Sequence, residues 1–279
     1  MKTAIVIDSG CDVSEELIEK YDMKVLRLHV IYPEKDYADG IDIKPETIYE
    51  RFPEEIPTTS TPSPQDVYDL LRTICEEGYT HVLAFSISSG LSTTYNTLCS
   101  ALAEEKGLIS YVMDTKSISF GAGVFAVWAA EQLAAGKSFE NVVKELPRKV
   151  SDCKIFYYMD TLKYLQKGGR IGLVSSVVGT MLKIKPIISC NENGVYYTVT
   201  KVRGEKLGLQ KLLETAKAFA GDDACYFAVL NGDGRDKADA VVEQVTQLDN
   251  GTLIEDKQIT ASMAVHTGPG LVGIMVFKL

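Results

Sequence analysis

Residues 3–8 read Thr-Ala-Ile-Val-Ile-Asp, and Ser-Gly-Cys-Asp follows at 9–12. A short run that is apolar at odd and even positions alike, closed by a turn signal, describes a strand buried on both faces. Such strands belong to parallel sheets covered by helices on either side. The same pattern recurs outward along the chain. Residues 24–30, 81–88 and 109–113 read as further strands. Between and after them, helices are predicted to about Lys20, with Asp12 or Ser14 as cap, and over about 64–77, 94–105, 120–135 and 139–149. The helix at 64–77 puts Val67, Leu70, Leu71 and Ile74 on one face and stops at Gly78. Residues 31–45 read as a long polar loop containing YADG, leading into a short helix over 45–51.

In a parallel sheet of this kind, ligands bind just beyond the carboxyl ends of the strands. Those ends carry Asp8-Ser9, Ser86 to Ser92, and Asp114-Thr115. Residues 57–63, Pro-Thr-Thr-Ser-Thr-Pro-Ser, add a second run of hydroxyls braced by Pro57, Pro62 and Pro64. A residue before proline is pushed toward extended geometry, so this stretch reads as a stiff loop offering hydroxyls and backbone N–H groups. Uncharged donors of that type suit holding an anion more than attacking an electrophile. Alone, the stretch reads as a polar linker; beside the serine-rich turn at 86–92 it becomes half of a candidate site.

The second half has a different rhythm. Strands are expected over 153–159, 184–190, 195–202, 226–230, 252–256 and 271–278, with Asn193-Gly194 as a hairpin turn. Helices are expected over 161–166, 173–182, 205–219 and 237–247. This is an α+β pattern with a mixed sheet, and the boundary falls near residue 152. The fold class is therefore α/β with two domains. Residues 1–152 form a three-layer α/β domain with a parallel sheet, and residues 153–279 form an α+β domain with a mixed sheet.

At 279 residues, with 46% hydrophobic and 24% charged residues, the chain has the composition of a globular protein. A net charge of −9 argues against a nucleic-acid partner. No apolar run is long enough to span a bilayer, and the start of the chain reads as a first strand instead of a signal peptide. The six cysteines form no CxxC pair, neither a zinc knuckle nor a disulfide framework, and read as reduced thiols of a cytoplasmic protein.

Three constellations admit chemistry. Lys167-Gly-Gly-Arg170-Ile-Gly172 is either a structural turn or an anion nest, without the spacing of a phosphate loop or dinucleotide fingerprint. His266 is framed by Gly268-Pro269-Gly270, a rigid turn able to aim it into a cleft, whereas His29 and His81 lie in or beside strands and read as structural. Asp8, Asp114 and Asp160 end strands and read either as helix caps or as carboxylates for a divalent metal. Ser89 or Ser92 with His266 would make a hydrolase, but the Gly-x-Ser-x-Gly elbow is missing.

Taken together, the motifs resemble the DegV family of bacterial fatty-acid-binding proteins over essentially the whole chain. The resemblance rests on DSGCD (8–12), YADGIDI (37–43), TSTPS (59–63), SSGLSTTY (88–95), MDT with GAG (113–123), TLKYLQKGGRIG (161–172), LKIKPII (182–188), KVRG (201–204) and HTGPG (266–270). Two positions depart from the family pattern: Thr61 stands where Gln is usual, and Thr93 where Gly is usual. The resemblance implies a buried long-chain fatty acid whose carboxylate is held by Thr59, Ser60, Thr61, Ser92 and Thr93, with Arg170 and His266 in a second layer. It further implies a lipid-binding subunit with no catalytic residues, metal or cofactor of its own. That subunit would present the acid to a separate ATP-binding fatty acid kinase subunit, and Arg203 would be a contact for it. The absence of a phosphate loop in the chain agrees with ATP being held elsewhere.

Overall fold

The computed structural model describes residues 2–175 and 184–279. Its first strand, β1 (Thr3–Asp8), is followed by α1 (Glu15–Lys20), which Ser14 caps by accepting the Leu17 N–H. Next come β2 (Lys24–Leu26), β3 (His29–Ile31), β4 (Asp36–Ala38), α2 (Pro45–Arg51), β5 (Thr58–Ser60), α3 (Pro64–Glu76), β6 (His81–Ser86), α4 (Thr94–Glu104) and β7 (Ile109–Asp114). β1, β2, β6 and β7 form a four-stranded parallel sheet in the order β2-β1-β6-β7.

The fully apolar reading of residues 3–8 and 81–86 is explained by what covers the sheet. Ala4, Val6, Val82 and Ala84 meet Val67, Leu71 and Ile74 of α3 and Leu98 and Ala101 of α4 on one face. Ile5, Ile7, Leu83 and Phe85 meet α5 (Phe120–Ala134) and α6 (Phe139–Lys149) on the other.

Helix α5 reads FGAGVFAVWAAEQLA and is buried from Phe120 to Ala130. A helix apolar all round is a core helix, and its second neighbour is the sheet of the second half. The remaining elements are β8 (Cys153–Tyr158), α7 (Lys163–Lys167), β9 (Lys185–Cys190), β10 (Tyr196–Val202), α8 (Glu205–Ala220), β11 (Cys225–Gly232), α9 (Arg235–Val245), β12 (Gly251–Gln258), α10 (Ala261–Thr267) and β13 (Leu271–Lys278). Their six-stranded sheet runs β10-β9-β8-β13-β11-β12, antiparallel except for the parallel pair β11 and β12. Ile155, Tyr157, Met275 and Phe277 of this sheet share one core cluster with α5, Ile5 and Phe85. Its opposite face is packed by α8 and α9 through Leu212, Ala216, Val241 and Val245. The layers therefore run helices, parallel sheet, α5 and α6, mixed sheet, helices.

Three expectations need correction. The strand expected over 24–30 is two strands, because the chain leaves the parallel sheet after Leu26; the Leu28 N–H is taken by Ser9 Oγ at 3.0 Å instead of by a neighbouring strand. The hydroxyl stretch is not a loop throughout: Thr58–Ser60 is an edge strand in a small antiparallel sheet of order β4-β3-β5, whose β4 lies within residues 31–45, expected to be a polar loop. Proline on either side is compatible with an edge, where half the backbone needs no partner. Finally, His266 lies on the last turn of α10, a helix where only a turn was expected. The helix expected over residues 173–182 falls, from 176 onward, outside the described residues.

Candidate functional site

The carboxyl ends of β1 and β6 are finished by buried polar groups. Asp8 Oδ2 accepts the Ile87 N–H at 2.9 Å. Thr115 donates its hydroxyl to Ser86 O at 2.8 Å, and the Ser88 N–H reaches Ser117 O at 2.7 Å. These contacts fold the serine-rich turn back over the sheet, so that Ile87, Leu91 and Ser92 look toward β5 and α10. Together they line a hollow that opens to solvent, whose space, open solvent included, is about 490 Å³. Its apolar walls are Leu28, Ile87, Leu91, Ile118, Tyr196 and Met263. Its polar groups are Thr59, Ser60, Thr61, Ser92, Arg170, Ser262 and His266. An apolar hollow with a few convergent polar groups is the usual form of a small-molecule site.

Two of the polar groups meet directly. Thr59 Oγ1 and His266 Nε2 lie 2.7 Å apart. Arg170 donates from Nη1 to Gly168 O at 2.7 Å and from Nε to Leu91 O at 3.3 Å, which ties the KGGRIG turn to the serine turn. Gly168 is there for close approach: a Cβ on it would stand 2.1 Å from His266 Nδ1. Gly268, at φ +68°, ends α10 in a conformation that side-chain-bearing residues rarely adopt. Its missing Cβ leaves room for the Tyr164 ring, 2.2 Å from where that atom would sit.

Burial, helped by the Arg170 charge, pushes the His266 pKa down to about 4, so the imidazole is neutral near neutrality. Its Nδ1 is buried and has no hydrogen-bond partner among the described residues. An orphaned N–H is rarer and costlier than an orphaned acceptor, which places the proton on Nε2. His266 then donates to Thr59, and the Thr59 hydroxyl proton is left to donate into the cavity. The positive charge of the site is carried by Arg170 and not by His266. No ion pair among the described residues engages that guanidinium.

Thr59, Arg170 and His266 also line a second hollow, of about 620 Å³ with its mouth, walled by Ile56, Pro57, Thr58, Lys167, Gly168 and Val265. The three side chains thus line both hollows, the apolar chamber and this mixed vestibule.

The sequence-predicted residues divide accordingly. Thr59, Ser60, Thr61, Ser92, Arg170 and His266 come together from four separate segments. Thr93 does not join them: it precedes α4 with an exposed side chain and an ordinary φ of −87°, so a glycine is not required there. Ser92 Oγ is 2.9 Å from Thr94 Oγ1. Arg203 is exposed in the turn between β10 and α8. The three strand-end aspartates are apart in role. Asp8 is buried behind the serine turn, Asp114 accepts from Ser89 N–H and pairs with Lys116, and Asp160 pairs with Lys237. Among the described residues, no three metal-ligating side chains cluster. Sequence reading missed Leu28, Ser262, Met263 and Tyr196. Ser262 and Met263 were findable, since Thr260 before an apolar run and Gly268 after it are helix start and stop signals.

The chain is similar along its whole length to known proteins. Residues 2–279 match the family model described as "Uncharacterised protein, DegV family". A DegV domain-containing protein of Clostridium acetobutylicum is 41% identical over 277 residues, 99% of each chain. The solved structure of a fatty-acid-binding DegV family protein from Thermus thermophilus is similar at a TM-score of 0.93, with 31% identity and all of both chains covered. A stearic-acid-binding protein from Eubacterium ventriosum gives a TM-score of 0.90 at 29% identity, over 98% of this chain and 97% of that one. With a fold shared end to end and a family match across 2–279, this chain belongs to the DegV family.

Proposed function

We propose that the chain binds a long-chain fatty acid in the apolar chamber, with the carboxylate held by Thr59, Ser60, Thr61 and Ser92 beside Arg170 and His266. The observation that carries this reading is that Thr59, Arg170 and His266 line both a largely apolar hollow and the vestibule beside it. Each CH₂ removed from water contributes roughly 0.8 kcal/mol, so a long acyl chain supplies on the order of 10 kcal/mol. The tail sets affinity and the polar end sets orientation. A carboxylate taken out of water needs donors, and the Thr59 hydroxyl and the Arg170 charge supply them.

The vestibule gives the held carboxylate a route outward. This supports a binding subunit that presents the acid to a separate ATP-dependent fatty acid kinase for acyl-phosphate formation, with exposed Arg203 as a contact. A Ser/His hydrolase fits less well. His266 Nε2 is engaged by Thr59, Ser92 by Thr94, and an imidazole with a pKa of about 4 is a weak base near neutrality.

The test is to purify the chain from a bacterial host, denature it and extract it for mass spectrometry. Stoichiometric fatty acid is expected. Its absence, together with no uptake of added oleate, would sink the reading. The kinase step is tested by adding candidate ATP-binding subunits with ATP and looking for acyl phosphate, which Arg203→Ala is expected to diminish while leaving oleate binding intact.

A further inference from the structure

Two sequence motifs, DSGCD and YADG, contribute little to the lining of the cavity, yet each delivers a buried carboxylate to the same place. Asp39 and Asp12 are both fully buried. Helix α10 begins after Thr260, its N-cap, whose side chain makes no capping hydrogen bond. Its first N–H groups need acceptors all the same. Asp12 Oδ1 accepts the Thr260 N–H at 2.8 Å, from 248 residues away in sequence. Asp39 Oδ1 accepts the Ser262 N–H at 3.2 Å, and Asp39 Oδ2 accepts the Ser262 hydroxyl. The same Oδ2 accepts the Ser9 hydroxyl at 2.8 Å, and Ser9 Oγ in turn accepts the Leu28 N–H at 3.0 Å. Leu28 and Ser262 line the cavity. Asp39 is itself held by its own N–H on Leu28 O at 2.9 Å. One carboxylate therefore fastens a wall of the chamber on the N-terminal side to the first turn of the helix whose last turn carries His266.

Acidic groups at a helix N-terminus also favour its dipole, and a seven-residue helix is too short to hold itself without tertiary contacts. We propose that Asp39, assisted by Asp12, is a positioning residue: by clamping the start of α10 it sets where His266 stands against Thr59, and so sets the polar lining of the cavity. The role in ligand binding rests on the fatty-acid reading above; the control of His266 does not.

The chain has only three histidines, so its imidazole resonances can be followed individually by NMR in the full-length protein. In Asp39→Asn, whose amide nitrogen cannot accept the Ser9 and Ser262 hydroxyls, the His266 resonances are expected to shift, its titration to move up from about 4 toward the ordinary histidine range as the displaced ring loses burial, and oleate affinity to fall by about tenfold. Asp256→Asn, which removes the surface pair with Arg235, is the control for simple destabilisation: it is expected to leave the His266 spectrum and oleate affinity unchanged. Should Asp39→Asn not fold, Ser9→Ala carries the test, since it removes one donor to Asp39 without touching α10, and a smaller His266 shift in the same direction is expected. A folded Asp39→Asn or Ser9→Ala protein with an unmoved His266 spectrum and titration overturns the proposal. A His266 shift in Asp39→Asn, where the wild type itself takes up no oleate, upholds the positioning role and removes the fatty-acid reading instead.

Discussion

Two side chains carry most of the physics at the residue scale. His266 is held neutral with its proton directed at Thr59, and the atom that permits this is one that Gly168 lacks. Gly168 has a helical φ of −76°, so alanine is allowed by its backbone and objectionable only for its Cβ, 2.1 Å from His266 Nδ1. Gly168→Ala is expected to push the ring from Thr59, to cost about 1–3 kcal/mol as an overpacking change, and to weaken oleate binding measured by calorimetry. Unchanged oleate affinity in a folded Gly168→Ala protein would show that the Thr59–His266 contact does not matter to the ligand. Asp8 offers a different test. Burial raises its pKa from 3.8 to about 7, against the hydrogen bond from Ile87. The folded protein then holds a proton that the unfolded chain gives up. The contribution is fully present below the unfolded pKa and is lost as pH rises through about 7. Acidifying from about pH 8 to about pH 6 should therefore stabilise the wild type relative to Asp8→Asn by on the order of 1 kcal/mol, read from urea denaturation of both proteins. His266, with its lowered pKa, works in the opposite sense over this window, and comparing the two proteins at each pH cancels it.

At the scale of elements, legibility followed length and period. β1, β6, α3 and α5 were readable because long apolar or amphipathic runs admit few alternatives. β3, β4 and β5 have three residues each, too few for alternation to register, and they exist because they pair with one another and because β3 and β5 lie beside α10. The site was legible as a set of hydroxyl and glycine motifs, and the family resemblance assembled them. What could not be read was which atoms meet: that Thr59 bonds His266, that His266 is neutral, and that Thr93 points away. Those follow from tertiary burial and not from neighbours in sequence. Helix α5 shows the same limit in one glycine. Gly123 sits inside a helix, where alanine would ordinarily be better by about 1 kcal/mol. A Cβ there would fall 2.5 Å from Cys11 O and 2.6 Å from Val13 Cγ2, so the glycine serves the approach of α5 to the first turn of the parallel sheet. Gly123→Ala is expected to destabilise by about 1–3 kcal/mol despite its helix propensity, measured by chemical denaturation; a gain in stability would mean that the first turn yields.

On the scale of the whole molecule, α5 decides how far the two halves are separable. We propose residues 1–152 and 153–279 as the two structural units, each with its own sheet. Yet the cluster around α5 takes Ile5, Ile7 and Phe85 from one sheet and Ile155, Tyr157, Met275 and Phe277 from the other. Cutting near residue 152 would leave the outer face of α5 bare in one fragment and the inner face of the mixed sheet bare in the other. Exposed contiguous apolar surface of that kind is an association site or an aggregation hazard. The cavity adds a second dependence, since Thr59 and Leu91 come from one side of residue 152, and Arg170 and His266 from the other. Fragments 1–152 and 153–279 produced separately are therefore expected to lack cooperative thermal unfolding and to bind no oleate. Mixed during refolding, they are expected to recover both properties together, because the surface that completes each core is also the surface that closes the site. A fragment that unfolds cooperatively alone, at a midpoint near that of the intact chain, would show that α5 is not a shared core.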